Sequence, residues 1–334
     1  MGISFENLSV LTIVVPCYNE ELVLEETSRE LIRVMDELVS ANQVSSESNI
    51  LFVDDGSQDK TWEIIDKKIT KNSYIQGLKL SRNFGHQGAL IAGMESAREL
   101  SDCIVSIDAD LQDDVNAIIQ FIEKFHEGYD IVYGVRDKRE TDTFFKRNTA
   151  LGFYKLMEKM GVKLVPNHAD FRLMSKRALD EFFKYQEENL FIRGIIPLIG
   201  FKTTKVYYNR KERFAGESKY PLKKMISFAL DGITSFSIVP IKIVTFVGFL
   251  LVFIGIGIAI YSLTQKLLDQ TVSGWASLMI SIWIVGGMQL IAIGVIGEYI
   301  GKIFKETKQR PRYTIETNTI EKKHQQYDHQ VSVK

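Results

Sequence analysis

Two long stretches without a single charged residue, Ile243 to Gln265 and Gln270 to Gly297, constrain this chain more than any other feature in it. Each exceeds the roughly 20 apolar residues that an α-helix needs to cross a bilayer. Core helices of soluble proteins rarely run so far without a charge, so the pair is expected to form two transmembrane helices. Lys223, Lys224 and Lys242 precede the first, and Lys302, Lys305, Lys308, Arg310 and Arg312 follow the second. The connecting loop carries only Lys266 against Asp269. Cationic flanks mark the cytoplasmic side, which places both ends of the chain there. No charged-then-apolar signal segment opens the sequence, so roughly the first 220 residues are expected to stay cytosolic, tethered from their C-terminal side. Cys17 and Cys103 lie in apolar runs and read as reduced core thiols.

Within the polar part, short apolar runs alternate with amphipathic stretches. Leu11 to Val15, Ile50 to Val53, Ile75 to Leu80, Cys103 to Ile107 and Ile131 to Tyr133 read as strands. Glu21 to Val39 and Trp62 to Thr70 read as helices between them. Such alternation predicts an α/β domain with a mostly parallel sheet covered by helices. Residues 40–49 read as a surface loop, and the polar segment after Pro311 as a disordered tail. The expected division is a catalytic domain over 1–220, an interfacial amphipathic helix over 221–239, two spans over 240–305 and a tail over 306–334.

Acidic residues gather at the carboxyl ends of two of these strands: Asp54-Asp55 with Asp59, and Asp108-Ala-Asp110 with Gln112 and Asp113. That edge of an open α/β sheet is where ligands bind, so the two clusters point to one polar site. Neither GlyXGlyXXGly nor a P-loop GlyLys pair follows the first strand, which excludes the common dinucleotide and P-loop fingerprints. The first strand runs instead into Pro16-Cys17-Tyr18-Asn19-Glu20, where the proline is expected to turn the chain and the Tyr18 ring can lie beside a nucleobase. Gly56 permits a sharp turn, and Ser57 or Asp59 can cap the helix that follows. A carboxylate accepts hydrogen bonds only, so Asp55 can hold a ring N–H of uracil or guanine. Asp108 and Asp110, with Gln112, offer the oxygen ligands a hard divalent cation prefers. Such a cation would neutralise charge on a departing nucleotide.

These residues, followed by Arg82-Asn83-Phe84-Gly85, Ala169-Asp170-Phe171-Arg172 and Gly216-Glu217-Ser218-Lys219, resemble the polyprenyl-phosphate glycosyltransferases of inverting family 2. The resemblance spans roughly residues 8 to 305, in motif order. It implies a GT-A fold and transfer of a sugar from a nucleotide-sugar to a polyprenyl phosphate lipid at the cytoplasmic face of a bacterial membrane, in cell-envelope glycan modification. By the same resemblance Pro16, Tyr18, Glu20 and Asp55 hold the nucleoside. Asp108, Asp110 and Gln112 hold Mg²⁺ or Mn²⁺ with the diphosphate, and Arg136, Arg147, Arg213, Ser218 and Lys219 gather the phosphates. Arginine suits that task through bidentate contacts. Asp110 and Asp170 are the catalytic candidates, Asp170 as the family's base. A phosphate monoester has a second pKa of about 6 and needs little deprotonation, so Asp170 is expected mainly to orient the acceptor, through Arg172 or a phosphate-binding arginine.

Phe144 to Met157, apolar residues mixed with Lys146, Arg147 and Lys155, and Pro221 to Val239 read as interfacial amphipathic segments or as helices packed on the sheet. The hairpin is expected to anchor the domain and to supply a homo-oligomer contact. A processive polysaccharide synthase shares the acid clusters but needs more spans and a GlnXXArgTrp segment. A receptor or scaffold does not need acids gathered on one edge, and a net charge of −1 argues against a nucleic-acid binder. The expected donor is UDP-linked glucose or N-acetylglucosamine, with GDP-mannose as the alternative, and the expected lipid is undecaprenyl phosphate.

Overall fold

The computed structural model describes residues 8–136, 168–187, 192–209, 239–267 and 274–320. Arg147, Arg213, Ser218 and Lys219, and both amphipathic segments apart from Val239, lie outside these ranges. The chain divides into two compact units, one built on a sheet and one on the two apolar helices, with Pro311 onward belonging to the first.

The sheet holds β1 (Leu11–Cys17), β2 (Asn49–Asp54), β3 (Ile75–Leu80), β4 (Cys103–Ser106), β5 (Ile131–Arg136), β6 (His168–Ser175), β7 (Thr203–Tyr208) and β8 (Ile315–Asn318). Their spatial order is β7-β5-β6-β4-β1-β2-β3-β8. β1, β2, β3 and β4 form a parallel core, β6 runs antiparallel between β4 and β5, and β8 runs antiparallel on β3. The expected mostly parallel core is thus present inside a mixed, GT-A-type sheet. All seven residues of β1 are buried, as a strand covered on both faces requires.

Among the described residues the sheet is covered by α1 (Leu24–Ser40), α2 (Thr61–Ile69), α3 (His86–Arg98), α4 (Ala117–His126) and α5 (Lys176–Phe182); the short α6 (Ile192–Ile195) follows. Leu24, Leu31, Met35 and Leu38 repeat at helical spacing along α1 and join Ile13, Val15, Phe52 and Val105 in one core. On the other face α3 lies very close to the strands. A Cβ on Gly93 would stand 2.5 Å from Val14 Cγ1 and 2.7 Å from Val53 Cγ2, so only glycine lets the helix approach. Cys17 and Cys103 are buried free thiols.

The structure corrects two expectations. Pro16 does not turn the chain: it is the sixth residue of β1, opposite Val53, and the bend follows at Tyr18 and Asn19, the latter in the left-handed region at φ 54°. The second concerns the tail, where β8 forms in a segment expected to be disordered. The open edge of β3 supplies the reason, since its unpaired backbone groups template another strand. Lys79 Nζ reaches Glu316 Oε1 at 2.8 Å, Gly77 N donates to Thr319 Oγ1 at 2.8 Å, and Tyr313 Oη donates to Glu95 Oε2 at 2.7 Å.

The second unit contains α7 (Val239–Leu267) and α8 (Trp275–Thr307). At about 1.5 Å per residue, 29 and 33 residues exceed the thickness of a bilayer's hydrocarbon core. Phe246, Phe249, Phe253, Ile254, Leu290, Ile291 and Ile293 stand exposed. Helices of this length with this much exposed apolar surface point to membrane association.

Candidate active site

Four loops and one strand converge at the carboxyl edge of the parallel core. The loops after β1 and β2 lock each other: Asn19 N donates to Ser57 Oγ at 2.9 Å, Gln58 N to Asn19 Oδ1 at 2.8 Å, and Glu20 N to Thr61 Oγ1 at 2.9 Å. Asp59 accepts from Thr61 N at 2.9 Å and from Glu21 N at 3.2 Å. It therefore holds the turn that leads into α2 while also tying down the neighbouring loop; the expected cap by Ser57 or Asp59 does not form, because the N-cap position is Lys60, which makes no side-chain cap, and Ser57 serves Asn19 instead. Tyr18 and Glu20 sit half-buried in this joint.

Asp55 ties in the third loop. Its Oδ1 accepts from Phe84 N at 2.7 Å and its Oδ2 from Gly85 N at 2.9 Å, which fixes the Arg-Asn-Phe-Gly turn that leads into α3. Gly56, at φ 66°, lies so close that a Cβ would stand 2.5 Å from the Arg82 carbonyl carbon. Burial raises the Asp55 carboxyl, and the two N–H bonds partly offset that. The residue expected to read a nucleobase thus already positions backbone with both oxygens, and a ring N–H would be a further bond to it.

The loop after β4 carries the second cluster. Thr27 Oγ1 donates to Ala109 O at 2.6 Å, pinning the loop to α1, and Gln112 N donates to Asp110 Oδ1 at 3.1 Å across Leu111, which sits at φ 56°. Asp113 is buried and accepts from Arg136 Nη2 at 3.0 Å and from Tyr208 Oη at 2.6 Å. Arg136, expected at a substrate phosphate, is therefore engaged by a structural acid. Among the described residues no three His, Cys, Asp or Glu side chains gather as a metal cage. Asp108 and Asp110 still suit a hard cation, because Asp108 Oδ1 is buried without a hydrogen-bond partner.

Beside Asp108 lies Asp170. Residues two apart on a strand share a face, and Arg172, only 1% exposed, pairs with Asp170 from within β6. Arg193 of α6 adds a fork, Nε to Oδ1 at 3.1 Å and Nη2 to Oδ2 at 2.9 Å. His86, the first residue of α3, places Nε2 3.5 Å from both Asp108 Oδ1 and Asp170 Oδ2. Burial opposes ionisation of Asp170, but Arg193, His86 and Arg172 outweigh it and hold the carboxyl well below its usual range. Burial raises Asp108 to about 6 even though His86 counters it. Burial also disfavours charge on His86, yet Asp108 and Asp170 lift it to about 9. Sequence reasoning missed both His86 and Arg193. His86 follows the Arg-Asn-Phe-Gly motif directly, which was the available signal, while Arg193 sits in an apolar run that gave none.

The glycosyl transferase family 2 model matches residues 12–183, and the GtrB C-terminal hairpin model matches 239–303. An uncharacterized glycosyltransferase of Bacillus subtilis (strain 168) is 59% identical over 92% of this chain and 91% of its own. A prophage bactoprenol glucosyl transferase homolog of Escherichia coli (strain K12) is 39% identical over 91% of this chain and 98% of its own. A bactoprenol glucosyl transferase of Shigella phage SfX is 39% identical over 92% and 99%. With a family model that covers half the sequence and near-full-length relatives of that order, this chain belongs to glycosyl transferase family 2.

Proposed function

We propose that this glycosyltransferase moves a hexose from a UDP-linked donor to undecaprenyl phosphate at the cytoplasmic face of a bacterial membrane, inverting the anomeric configuration. Relatives named bactoprenol glucosyl transferase favour glucose over N-acetylglucosamine as the sugar. The observation that carries the reading is the ring of cations around Asp170 beside Asp108, at the strand edge where the loops after β1, β2 and β3 meet.

The acceptor phosphate is largely dianionic at neutral pH, since its second pKa is about 6. An oxygen of it attacks the anomeric carbon in line with the departing diphosphate, giving a β-linked product from an α-linked donor. Asp170 is too well stabilised as an anion to serve as a proton acceptor. Its role is to orient Arg193, Arg172 and His86 at the reacting centre. Asp108 and Asp110, with Gln112, would hold Mg²⁺ or Mn²⁺, whose chemistry is to neutralise charge on the leaving diphosphate. Tyr18 and Glu20 flank the nucleoside.

Incubating the purified full-length protein with labelled UDP-glucose, UDP-N-acetylglucosamine or GDP-mannose and undecaprenyl phosphate, then resolving the lipid fraction, tests the proposal. A β-linked glucosyl lipid is the expected product, and no lipid-linked sugar from any donor overturns it. Protease added outside sealed right-side-out vesicles is expected to reach only the loop between the spans.

A further inference from the structure

Among the described residues, the largely buried carboxylates that pair with arginine keep to one cation each, with one exception. Asp113, 1% exposed, has Arg136 together with the Tyr208 hydroxyl. Asp130, 9% exposed, has Arg177 together with the Ser175 hydroxyl. Asp170 is the exception, since it accepts from two arginines and lies 3.5 Å from a histidine. Arg172 alone would neutralise it: that guanidinium is buried, lies on the same strand, and accounts for the acid structurally. Arg193 comes from a separate short element and remains 32% exposed. A second arginine bound in a fork gains little stability where the charge is already balanced, because desolvating another cation offsets the attraction. A guanidinium held this rigidly at the edge of a site is, however, preorganised for a tetrahedral oxyanion.

Resting on the glycosyl-transfer reading, we infer that Arg193 is a phosphate-binding residue of the reaction, aimed by Asp170 at a phosphoryl oxygen of the acceptor lipid or of the donor diphosphate. The two sources share one chemistry, and kinetics separates them. Asp170 then matters as the group that sets the direction of Arg193.

The test compares full-length wild type, Arg193→Gln and Arg193→Lys, with Arg177→Gln as a control for loss of an arginine that pairs a buried acid elsewhere. KM for undecaprenyl phosphate, calorimetric affinity for UDP and pyrophosphate, and thermal unfolding are measured for each. A charge-assisted hydrogen bond contributes about 1.5–3 kcal/mol, so one affinity is expected to weaken about 10- to 100-fold in the Gln variant and to recover partly in the Lys variant. A raised lipid KM with unchanged UDP and pyrophosphate affinity assigns the acceptor, and the reverse assigns the donor. If both affinities stay at wild-type values in a folded Gln variant, the inference is overturned. Should the Gln variant fail to fold, the Lys variant decides by the same criterion. If wild type makes no lipid-linked sugar, the acceptor assignment falls, and Arg193 is judged on pyrophosphate binding alone.

Discussion

After β2, the oxygens of Asp55 and Asp59 meet backbone N–H groups: Phe84 and Gly85 for the first, Thr61 and Glu21 for the second. At the other acidic region, Asp170 meets Arg172, Arg193 and His86, and the neighbour of Asp108 is again His86. The two regions carry the same residue type at the same sheet edge, yet one organises chain and the other organises charge. Backbone partners fix a shape that barely changes with the charge on a substrate. Cationic side chains create a field that a phosphate can feel and that responds to every added or removed charge. Under the proposed function, the first region shapes the donor pocket and the second carries the transfer chemistry.

The largest test of that split is Asp110→Asn. If Asp110 helps hold the cation, turnover is expected to fall about a thousandfold, the scale seen when preorganised electrostatic stabilisation is removed, while thermal unfolding stays near wild type. Excess chelator should reproduce the loss in wild type. Full activity under either condition removes the metal from the mechanism.

Asp170→Asn comes next and should cost both stability and rate. It leaves Arg172, 1% exposed, without its carboxylate, a loss of about 3 kcal/mol by analogy with other broken buried pairs. Because the folded pKa of Asp170 is depressed, its contribution to stability is present above the unfolded carboxylate value of about 4 and fades as pH falls through the lower folded value. The rate defect should be constant from pH 5 to 9, as befits an orienting group. A defect that shrinks steadily as the acceptor phosphate ionises would restore Asp170 as a general base.

How much of this was legible in the sequence follows from the same physics. Strands β1 to β5 announced themselves because parallel strands buried on both faces need apolar runs, and the acids stood out because they interrupt those runs at the functional edge. β6 was hidden: His-Ala-Asp-Phe-Arg-Leu-Met-Ser buries an ion pair on the face where apolar residues would have signalled a strand. β8 was hidden because an edge strand, Ile-Glu-Thr-Asn, has little to bury and is specified by the backbone of β3. Arg193 and His86 gain their meaning only when α6 and the start of α3 are brought to Asp170, a long-range event that spacing does not encode. The family resemblance put Arg136 at a substrate phosphate, whereas its pairing with buried Asp113, which also accepts from Tyr208, is a long-range contact that spacing does not encode.

On the first region's side, Asp55→Asn should act through shape. The amide oxygen can accept one of the two N–H groups, while its NH₂ faces the other, so about 1 kcal/mol of stability is expected to be lost. UDP affinity should weaken with the loosened Arg82 to Gly85 turn, while KM for the lipid stays unchanged. Equal losses on donor and acceptor would erase the distinction between the regions.

The smallest effect expected belongs to His86, about a third exposed and so partly screened by solvent. Its folded pKa of about 9 lies above the unfolded value near 6.5, so the stability it contributes is complete below pH 6.5 and is lost as pH rises through 9. Asp108 behaves in the same sense at lower pH. Raised to about 6, it favours folding only below the unfolded value near 4, and that contribution is gone once pH passes 6. Between pH 6.5 and about 8 the decline belongs to His86, with Asp170 ionised throughout and the arginines unchanged; above that the buried thiols Cys17 and Cys103, both raised by burial, add a decline common to wild type and variant. In His86→Gln the unfolding temperature should be flatter across that window than in wild type, in chelator-treated protein read by intrinsic fluorescence. Parallel declines in the two proteins would show that the charge on His86 does not couple Asp108 to Asp170, and the second region would then rest on its arginines alone.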